Sequence, residues 1–318
     1  MPERKDDPYY IRDYQPGDET AITTLFGLVF GQVLTEAHWR WKYLDASSTS
    51  PIARLAFNAE GELVGHAGAI SLRGWRQCRS APFFQICDVM VHPAARGQLG
   101  RRNLFTQLVR ELLEGLAGRW PTAFAYGFPG RRPFRLGEYA RVYGAVERAS
   151  SLHRAAQKAL GSWLGVRPLK WDDPRLDALW DRCAPELPLA LVRDRAYLNW
   201  RYATHPLRRY QLFSLSTRSN PGLLGWVVIQ QEEHQLRVID LLVPHHLLNQ
   251  ALIALERLAA DRGDHELEIW LPPGWRDEIL GRVESTEVVV ANMVWRLPIP
   301  TSEVQKDLYY TMGDLDIF

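Results

Sequence analysis

The chain of 318 residues exceeds the size that one hydrophobic core usually supports, so we expect two domains. Its shares of hydrophobic (46%) and charged (24%) residues are those of an ordinary globular protein, and exclude a disordered chain. A formal net charge of +1 gives no global attraction for nucleic acid or for an anionic membrane, so neither is expected as a partner.

The chain begins with a charged segment (1–7) that lacks the apolar centre of a signal peptide, and no apolar run approaches the length of a membrane span. Cys78, Cys87 and Cys183 are odd in number and scattered. This pattern fits a reducing compartment and argues against a disulfide framework or a cysteine zinc site. We therefore expect a cytoplasmic protein without a metal.

The first predicted elements are a strand over residues 9–14 and a helix over 22–30. Between them, the Pro-Gly-Asp segment 16–18 ends the strand, and its aspartate is suited to cap the helix. Residues 53–57 and 63–71 are rich in apolar residues and flank a turn signal, which predicts two paired strands.

The segment 89–102 carries the strongest functional signal of the chain. It runs from an apolar strand through Pro93 into a loop with two glycines and three arginines, and then into an amphipathic helix over 104–116. A helix start presents unpaired N–H groups, glycines admit an anion close to the backbone, and arginines add fixed positive charge. The segment therefore predicts a site for a phosphate-bearing ligand; the alternative is a simple turn with solvated arginines.

The same order of short motifs occurs twice along the chain. The first copy contains Trp41-Lys42-Tyr43, Gly61-Glu62-Leu63-Val64-Gly65, Cys87-Asp88-Val89-Met90-Val91, an amphipathic helix, and Thr122-Ala123-Phe124-Ala125-Tyr126-Gly127-Phe128-Pro129-Gly130. The second contains Trp200-Arg201-Tyr202, Gly222-Leu223-Leu224-Gly225, Ile239-Asp240-Leu241-Leu242-Val243, another amphipathic helix, and Glu266-Leu267-Glu268-Ile269-Trp270-Leu271-Pro272-Pro273-Gly274. These matches indicate two homologous domains joined by a Gly- and Pro-containing linker around 161–174.

Only the first copy carries the glycine and arginine loop, because Pro244-His245-His246 follows the matching strand in the second copy. We therefore expect the phosphate site in the first copy alone. The second copy is interpreted as a half without a cofactor, which shapes the acceptor site or mediates assembly.

At this point the residues resemble a known family. The strand, Pro93, Arg96-Gly97, Gly100 and the following helix resemble the acetyl-coenzyme A signature of the Gcn5-related N-acetyltransferase (GNAT) superfamily. The opening segment Ile11-Arg12-x-Tyr14-x-Pro16-Gly17-Asp18 is similar to the first strand and helix of that superfamily. The duplication resembles the tandem members, among them the enhanced-intracellular-survival-like acetyltransferases.

The resemblance implies an α/β (α+β) fold of two tandem GNAT-like domains. Each domain is expected to be a mixed, mostly antiparallel sheet flanked by helices. The expected boundaries are 1–155 for the domain with the acyl-CoA loop and 166–318 for the degenerate domain.

The resemblance also implies acetyl-CoA as the co-substrate of the first domain. Loop N–H groups are implied to hold its pyrophosphate, and the strand end to pair with its pantetheine arm. The implied contact residues are Met90, Val91, Arg96, Gly97, Gln98, Leu99, Gly100, Arg101 and Arg102. The loop departs from the family's Arg/Gln-x-x-Gly-x-Gly/Ala pattern, because Leu99 and Arg101 stand where small residues are usual.

Acetyl transfer to an amine needs a base for the amine and an acid for the leaving thiolate. Asp88 is the carboxylate beside the cofactor strand, but Asp240 repeats it in the second copy, which favours a structural role. Tyr139 and Tyr143 lie in the segment after Phe128-Pro129-Gly130, where the family places its thiolate-protonating tyrosine; alternatively, both pack the following helix. By resemblance to tandem relatives, the terminal carboxylate of Phe318 lies in the active site; the alternative is a last strand that completes the second copy.

Trp39 lies in the stretch that borders the acceptor site in the superfamily, and the second copy does not repeat it. We therefore expect Trp39 to bind the acceptor through its aromatic face, with a packing role as the alternative. Trp41 belongs to the repeat and is interpreted as a residue of the fold.

The resemblance thus implies an acyl-CoA-dependent N-acyltransferase, most simply an N-acetyltransferase. It would move an acetyl group from acetyl-CoA to a small amine by direct attack in a ternary complex. Two alternatives are a non-catalytic tandem GNAT-like module that binds acyl-CoA or a protein, and an aminoacyl transferase of cell-wall precursors. Homo-oligomer formation is left open.

Overall fold

A computed structural model describes residues 8–46, 50–96, 103–158, 161–217 and 222–315. The first elements in chain order are β1 (Tyr10–Asp13), α1 (Glu19–Phe30), α2 (Glu36–Tyr43), β2 (Ile52–Phe57), β3 (Leu63–Arg76), β4 (Arg79–Val91), α3 (Leu104–Arg119), β5 (Phe124–Gly127), α4 (Arg131–Tyr139) and β6 (Tyr143–Ala155). The later elements are β7 (Leu164–Pro168), α5 (Arg175–Cys183), β8 (Leu189–Leu191), α6 (Arg195–Leu198), β9 (Gln211–Thr217), β10 (Gly225–Glu232), β11 (Gln235–Leu242), α7 (Leu248–Arg262), β12 (Glu266–Trp270), α8 (Pro273–Arg276), β13 (Arg282–Met293) and α9 (Thr301–Asp307).

The described residues form two compact units, each built from three separate segments of the chain. The first unit comprises the described residues of 1–72, 81–146 and 289–301, and the second those of 73–80, 147–288 and 302–318. Because of this arrangement, no single cut in the chain separates the two units.

The sheet of the first unit has the strand order β1-β2-β3-β4-β5-β13. β1, β2 and β3 are antiparallel neighbours, β4 and β5 are parallel, and β13 is antiparallel to β5. The apolar stripe of α3 is buried against Phe84 and Ile86 of β4. Asn103 begins this helix, because its side chain accepts a hydrogen bond from the Thr106 N–H at 2.8 Å.

The sheet of the second unit has the order β6-β12-β11-β10-β9-β7, in which β11 and β12 are parallel. β8 pairs with the end of β3, from Gly74 to Arg76. α7 contacts β7 and β12 and ends at Gly263, whose left-handed backbone (φ 85°) closes the helix. Both units are therefore mixed α/β layers, and the expected fold class is confirmed.

The predicted hairpin over 53–57 and 63–71 is confirmed by β2 and β3. The predicted linker around 161–174 is wrong, because it contains β7, which pairs with β9 from Leu164↔Thr217 to Pro168↔Phe213. Its glycine and proline suggested a linker, but both residues are also tolerated in a strand at the edge of a sheet.

The described part of the C-terminal tail is not the last strand that the sequence offered as an alternative. Met312–Asp314 forms a 3-10 turn, and the Thr311 side chain caps it by accepting from the Gly313 N–H at 3.2 Å. Phe318 lies outside the described residues.

Candidate active site

β4 and β5 pair only over a short distance. Their register runs from Phe83↔Phe124 to Gln85↔Tyr126, whereas β4 continues to Val91. Gly127 then pairs with Ala291 of β13. The last residues of β4 therefore extend beyond the register that they share with β5.

Gly127 is the last residue of β5 and lies close to the backbone of β4. A Cβ atom added there would lie 2.9 Å from the Ile86 carbonyl oxygen and 3.1 Å from the Met293 methyl group. Both distances are shorter than ordinary contacts, so the close approach of the two backbones requires glycine at this position.

Beyond Val91 the chain turns toward α3. The His92 N–H donates to the Val64 carbonyl at 2.8 Å, and a 3-10 turn follows at Pro93–Ala95. Arg96 is exposed, and its Nε donates to the Val91 carbonyl at 2.9 Å. The predicted loop residues Gly97, Gln98, Leu99, Gly100, Arg101 and Arg102 lie outside the described residues, so their contacts with a phosphate stay a prediction.

Asp88 interrupts the regular geometry of β4. Its φ is +49°, in the left-handed region that non-glycine residues rarely adopt, at a cost of about 1–3 kcal/mol. The Tyr43 hydroxyl donates to Asp88 Oδ2 at 2.6 Å and lies 3.3 Å from Cys87 Sγ. Two successive residues of β4 therefore face α2, as in a β-bulge.

The carboxylate of Asp88 is buried in an ion pair. Lys42 Nζ lies 2.8 Å and 2.9 Å from its two oxygens, and both side chains are 5% exposed. Burial acts to raise the pKa of Asp88, but the Lys42 ammonium and the hydrogen bonds from Lys42 and Tyr43 outweigh it and lower that pKa. The carboxylate is thus ionised and fully engaged, which makes it a poor proton acceptor.

His66 of β3 holds the backbone of the same residue. Its Nδ1 lies 2.7 Å from the Asp88 carbonyl oxygen, and the ring is fully buried. A carbonyl oxygen only accepts, so Nδ1 carries the hydrogen. Burial lowers the pKa of His66, which keeps the ring neutral. Among the described residues, Nε2 has no hydrogen-bond partner.

The other predicted catalytic residues lie in different surroundings. Tyr139 ends α4 and is 63% exposed. Tyr143 is buried against the rings of Phe105 and Phe134, and burial raises its pKa. Neither tyrosine belongs to the cluster around Asp88. Their role as the acid stays a prediction.

Trp39 is buried in the first unit, with 1% of its surface exposed. Its ring centroid lies 5.3 Å from those of Tyr14 and Tyr43. The side chain therefore packs within an aromatic group, and its predicted contact with an acceptor stays untested. Met90 is also fully buried, whereas Val91 is partly exposed at the end of β4.

The second unit repeats the tyrosine–aspartate contact without the rest of this arrangement. The Tyr202 hydroxyl donates to Asp240 Oδ2 at 2.8 Å, as Tyr43 does to Asp88. Arg193 Nε approaches Asp240 Oδ1 at 3.1 Å, and the Thr311 hydroxyl donates to the same oxygen at 2.9 Å. The tail of the chain thus covers the aspartate of this unit.

Sequence reasoning missed Lys42 and His66 as partners of Asp88. The signal for Lys42 was the Trp-Lys-Tyr motif, which the second copy repeats as Trp-Arg-Tyr. The signal for His66 was a single histidine in the otherwise apolar first part of β3, residues 63–70. Within the described ranges, no group of three or more His, Cys, Asp or Glu residues is placed to hold a metal.

Residues 10–144 match the family model described as an acetyltransferase (GNAT) domain. The fold is similar to that of a probable N-acyltransferase from Enterococcus faecalis V583, with a TM-score of 0.71, 12% identity, and coverage of 91% of this chain and 74% of that one. A GCN5-related N-acetyltransferase from Kribbella flavida has a TM-score of 0.66 and 17% identity, over 89% of this chain and 70% of that one. The N-myristoyltransferase of Saccharomyces cerevisiae with bound myristoyl-CoA has a TM-score of 0.57 and 9% identity, over 90% and 83%.

Residues 10–144 thus match an acetyltransferase (GNAT) domain, and the fold of the chain is similar to that of GCN5-related N-acetyltransferases. No curated protein matches the sequence. None of the described helices is both long and apolar enough to cross a membrane.

Proposed function

We propose that the chain is an acyl-CoA-dependent N-acyltransferase that moves an acetyl group from acetyl-CoA to an amine. The observation that carries this proposal is the course of β4 in the GNAT domain. β4 runs past its pairing with β5 and leads through the turn at Pro93–Ala95 toward the N-terminus of α3. An open strand edge and a helix start are suited to the amide groups and the phosphates of one extended ligand.

The residues present fit that ligand. Gly127 places no side-chain atoms where β5 lies close to the backbone of β4. The pantetheine arm would pair with the backbone of β4 near Met90 and Val91 as an added strand does. Arg96 and the loop residues 97–102 would bind the pyrophosphate ahead of α3, whose helix start favours negative charge.

When bound, acetyl-CoA supplies a thioester whose carbonyl carbon accepts the amine. The C–N bond forms and the C–S bond breaks; the amine gives up a proton and the thiolate takes one. The peptide group between Asp88 and Val89 is trans, so its N–H points away from the carbonyl that His66 holds. The Val89 N–H is our candidate donor to the thioester oxygen, where negative charge develops.

The proton-transfer roles follow from the surroundings of each candidate. Asp88 is ion-paired, so we assign it to holding the bulge rather than to accepting the amine proton. Tyr143 has a raised pKa and keeps its proton at neutral pH, and Tyr139 is exposed to solvent. Both tyrosines are candidates for the acid. Trp39 of α2 packs against Tyr14 and Tyr43 and is the candidate for contact with the acceptor.

The test begins with binding. Isothermal titration of the purified chain with acetyl-CoA should show saturable heat, and free-thiol release should appear with at least one member of an amine panel. Arg96→Ala should weaken binding by about tenfold, because a charge-assisted contact with phosphate is lost. Gly100→Trp should abolish binding if the loop holds the pyrophosphate.

The matched control is Arg79→Ala, an exposed arginine at the opposite end of β4, which should leave binding unchanged. Absence of heat and of a thermal shift with the wild-type chain would overturn the proposal. Binding without thiol release on any amine would favour the non-catalytic acyl-CoA-binding module. Comparison of acetyl-CoA with longer acyl-CoA esters tests the acyl group.

A further inference from the structure

We propose that His66 is a positioning residue for acyl transfer, because it fixes the orientation of the Asp88–Val89 peptide group in the β4 bulge. This inference rests on the proposed function and names a residue on which that site depends. His66 does not touch the reacting atoms. It acts through the backbone to which it donates a hydrogen bond.

The hydrogen bond between His66 and the Asp88 carbonyl forms a clamp between β3 and β4. The His66 ring lies on β3 and reaches the Asp88 carbonyl oxygen at 2.7 Å from the adjacent strand. The peptide is planar and trans, so fixing the carbonyl direction also fixes the opposite direction of the Val89 N–H. A donor must be held in advance to stabilise developing charge, since reorientation during the reaction would cost free energy.

The backbone at Asp88 adopts a conformation that the surrounding residues must stabilise. Asp88 has a left-handed backbone inside a strand, and such conformations persist only where the surroundings determine them. Lys42 and Tyr43 hold the carboxylate from α2, while His66 holds the carbonyl from β3. The side chain and the main chain of one strained residue are thus fixed from two different elements.

The second unit allows His66 to be compared with the residue at the matching position. In the second unit, Trp226 follows Gly225 at the position where His66 follows Gly65. Among the described residues, Trp226 Nε1 has no hydrogen-bond partner, and Asp240 is not among the non-glycine residues with positive φ.

The second unit therefore keeps the tyrosine–aspartate bond, with Tyr202 in place of Tyr43, but has neither the clamp nor the strained peptide. The fold consequently does not require the histidine. His66 occurs with the strained peptide in the one copy that also carries the glycine and arginine loop. This association is what a role in the reaction predicts and a role in packing does not.

The test compares His66→Asn with His66→Phe in the full chain. The asparagine Nδ2 stands as many bonds from the backbone as the histidine Nδ1 and can donate to the Asp88 carbonyl, whereas phenylalanine keeps a ring without a donor. We expect His66→Phe to lower kcat by at least about tenfold, with the Kd of acetyl-CoA changed less than about threefold, since a misplaced group costs rate. His66→Asn should recover most of kcat.

A second readout needs no acceptor. The infrared carbonyl stretch of bound acetyl-CoA, labelled with ¹³C at the thioester carbonyl, should shift to lower frequency in the wild-type chain and in His66→Asn. It should lie near its free value in His66→Phe. Trp226→Phe, the matched ring substitution in the second unit, should leave both readouts unchanged.

The outcomes separate this inference from the proposed function. If the wild-type chain binds acetyl-CoA but acylates no amine, the proposed function fails, and the carbonyl stretch still decides the role of His66. If His66→Phe keeps wild-type kcat and carbonyl stretch, the inference is overturned. Loss of kcat that follows a loss of thermal stability and is not rescued by asparagine also overturns it. If no acetyl-CoA binds, both fail.

Discussion

Asp88 and Asp240 hold the same place in the two repeats, but different cations neutralise them. Lys42 comes from the repeated Trp-Lys-Tyr motif itself and contacts both oxygens of Asp88. In the second unit, Arg201 of the matching motif instead donates to the backbone carbonyls of the tail, and Arg193 approaches Asp240. A buried carboxylate requires a nearby cation, but the fold does not dictate which segment supplies it.

This contrast leads to a prediction for Lys42→Met. The variant leaves Asp88 ionised and buried without its cation, so we expect the free energy of unfolding at pH 7 to fall by about 3–5 kcal/mol. The wild-type pKa of Asp88 is lowered, so the pair stabilises the fold above the usual carboxyl pKa and loses this effect as the pH falls through the lowered pKa. At pH 4 the wild-type pair is still ionised, but in Lys42→Met the ammonium no longer opposes the effect of burial, so the pKa of Asp88 rises and the carboxyl takes up a proton as the pH falls. Denaturant unfolding at pH 7 and pH 4 should therefore show the larger loss at pH 7.

The control for this prediction is Arg12→Met, which removes a more exposed ion pair with Asp18 (21% and 14% exposed). We expect it to cost no more than about 1 kcal/mol. Equal losses in the two variants would mean that the Lys42–Asp88 pair contributes no more than a surface pair does.

At the scale of elements, the candidate site depends on where strands and helices begin and end. β4 continues beyond its register with β5, and α3 begins at the residue after Asn103. The effect of a residue that caps a helix on stability can therefore be measured separately from its effect on ligand binding. Asn103 and Thr35 perform the same task, at α3 and α2 respectively, by accepting hydrogen bonds from the Thr106 and His38 N–H groups.

We expect Asn103→Ala and Thr35→Ala to lower the free energy of unfolding by similar amounts, about 1 kcal/mol each. Only Asn103→Ala should also weaken acetyl-CoA binding, because only α3 presents its N-terminus to the proposed pyrophosphate site. Thermal unfolding and calorimetric titration of both variants check this. Equal affinities in the two variants would place the anion away from α3.

Helices and strands with a regular apolar pattern could be predicted from the sequence, whereas unusual backbone conformations could not. The apolar stripe of α3 and the paired strands β2 and β3 were predictable because their side chains repeat with the period of the element. The positive φ of Asp88 gave no signal, since an aspartate in an apolar strand reads as an ordinary strand residue. Likewise, the Gly and Pro of β7 carried the signal of a linker although the segment pairs at a sheet edge.

At the scale of the whole molecule, one duplicated pattern has acquired two different centres. The first unit has a strained peptide at Asp88, where β4 extends beyond its register with β5. In the second unit the C-terminal tail contacts the matching aspartate: Asp314 binds Arg193, and a Cβ on Gly313 would lie 3.1 Å from that of Asp240. Residues of the tail therefore cover Asp240 in the second unit. This asymmetry is consistent with the proposal of an acyl-transfer site in the first unit.

The tail also carries a carboxyl group whose titration is coupled to folding. Burial raises the pKa of Asp314 to about 6, although Arg193 and the hydrogen bond from the Thr311 N–H oppose the shift. The folded state therefore binds more protons than the unfolded state between about pH 4 and pH 6, so the contribution of Asp314 to stability decreases as the pH rises through this window.

Asp314→Asn removes this titration. Relative to the wild-type chain, the variant should become more stable between pH 4.5 and pH 7, by up to about 3 kcal/mol, in urea unfolding at each pH. Asp277→Asn, which alters a carboxylate with 69% exposure, should show little change over the same range. If Asp314→Asn instead loses relative stability as the pH rises, the ionised carboxylate stabilises the fold through Arg193. In that case the Arg193–Asp314 ion pair would stabilise the tail at neutral pH by more than the burial of the charge destabilises it.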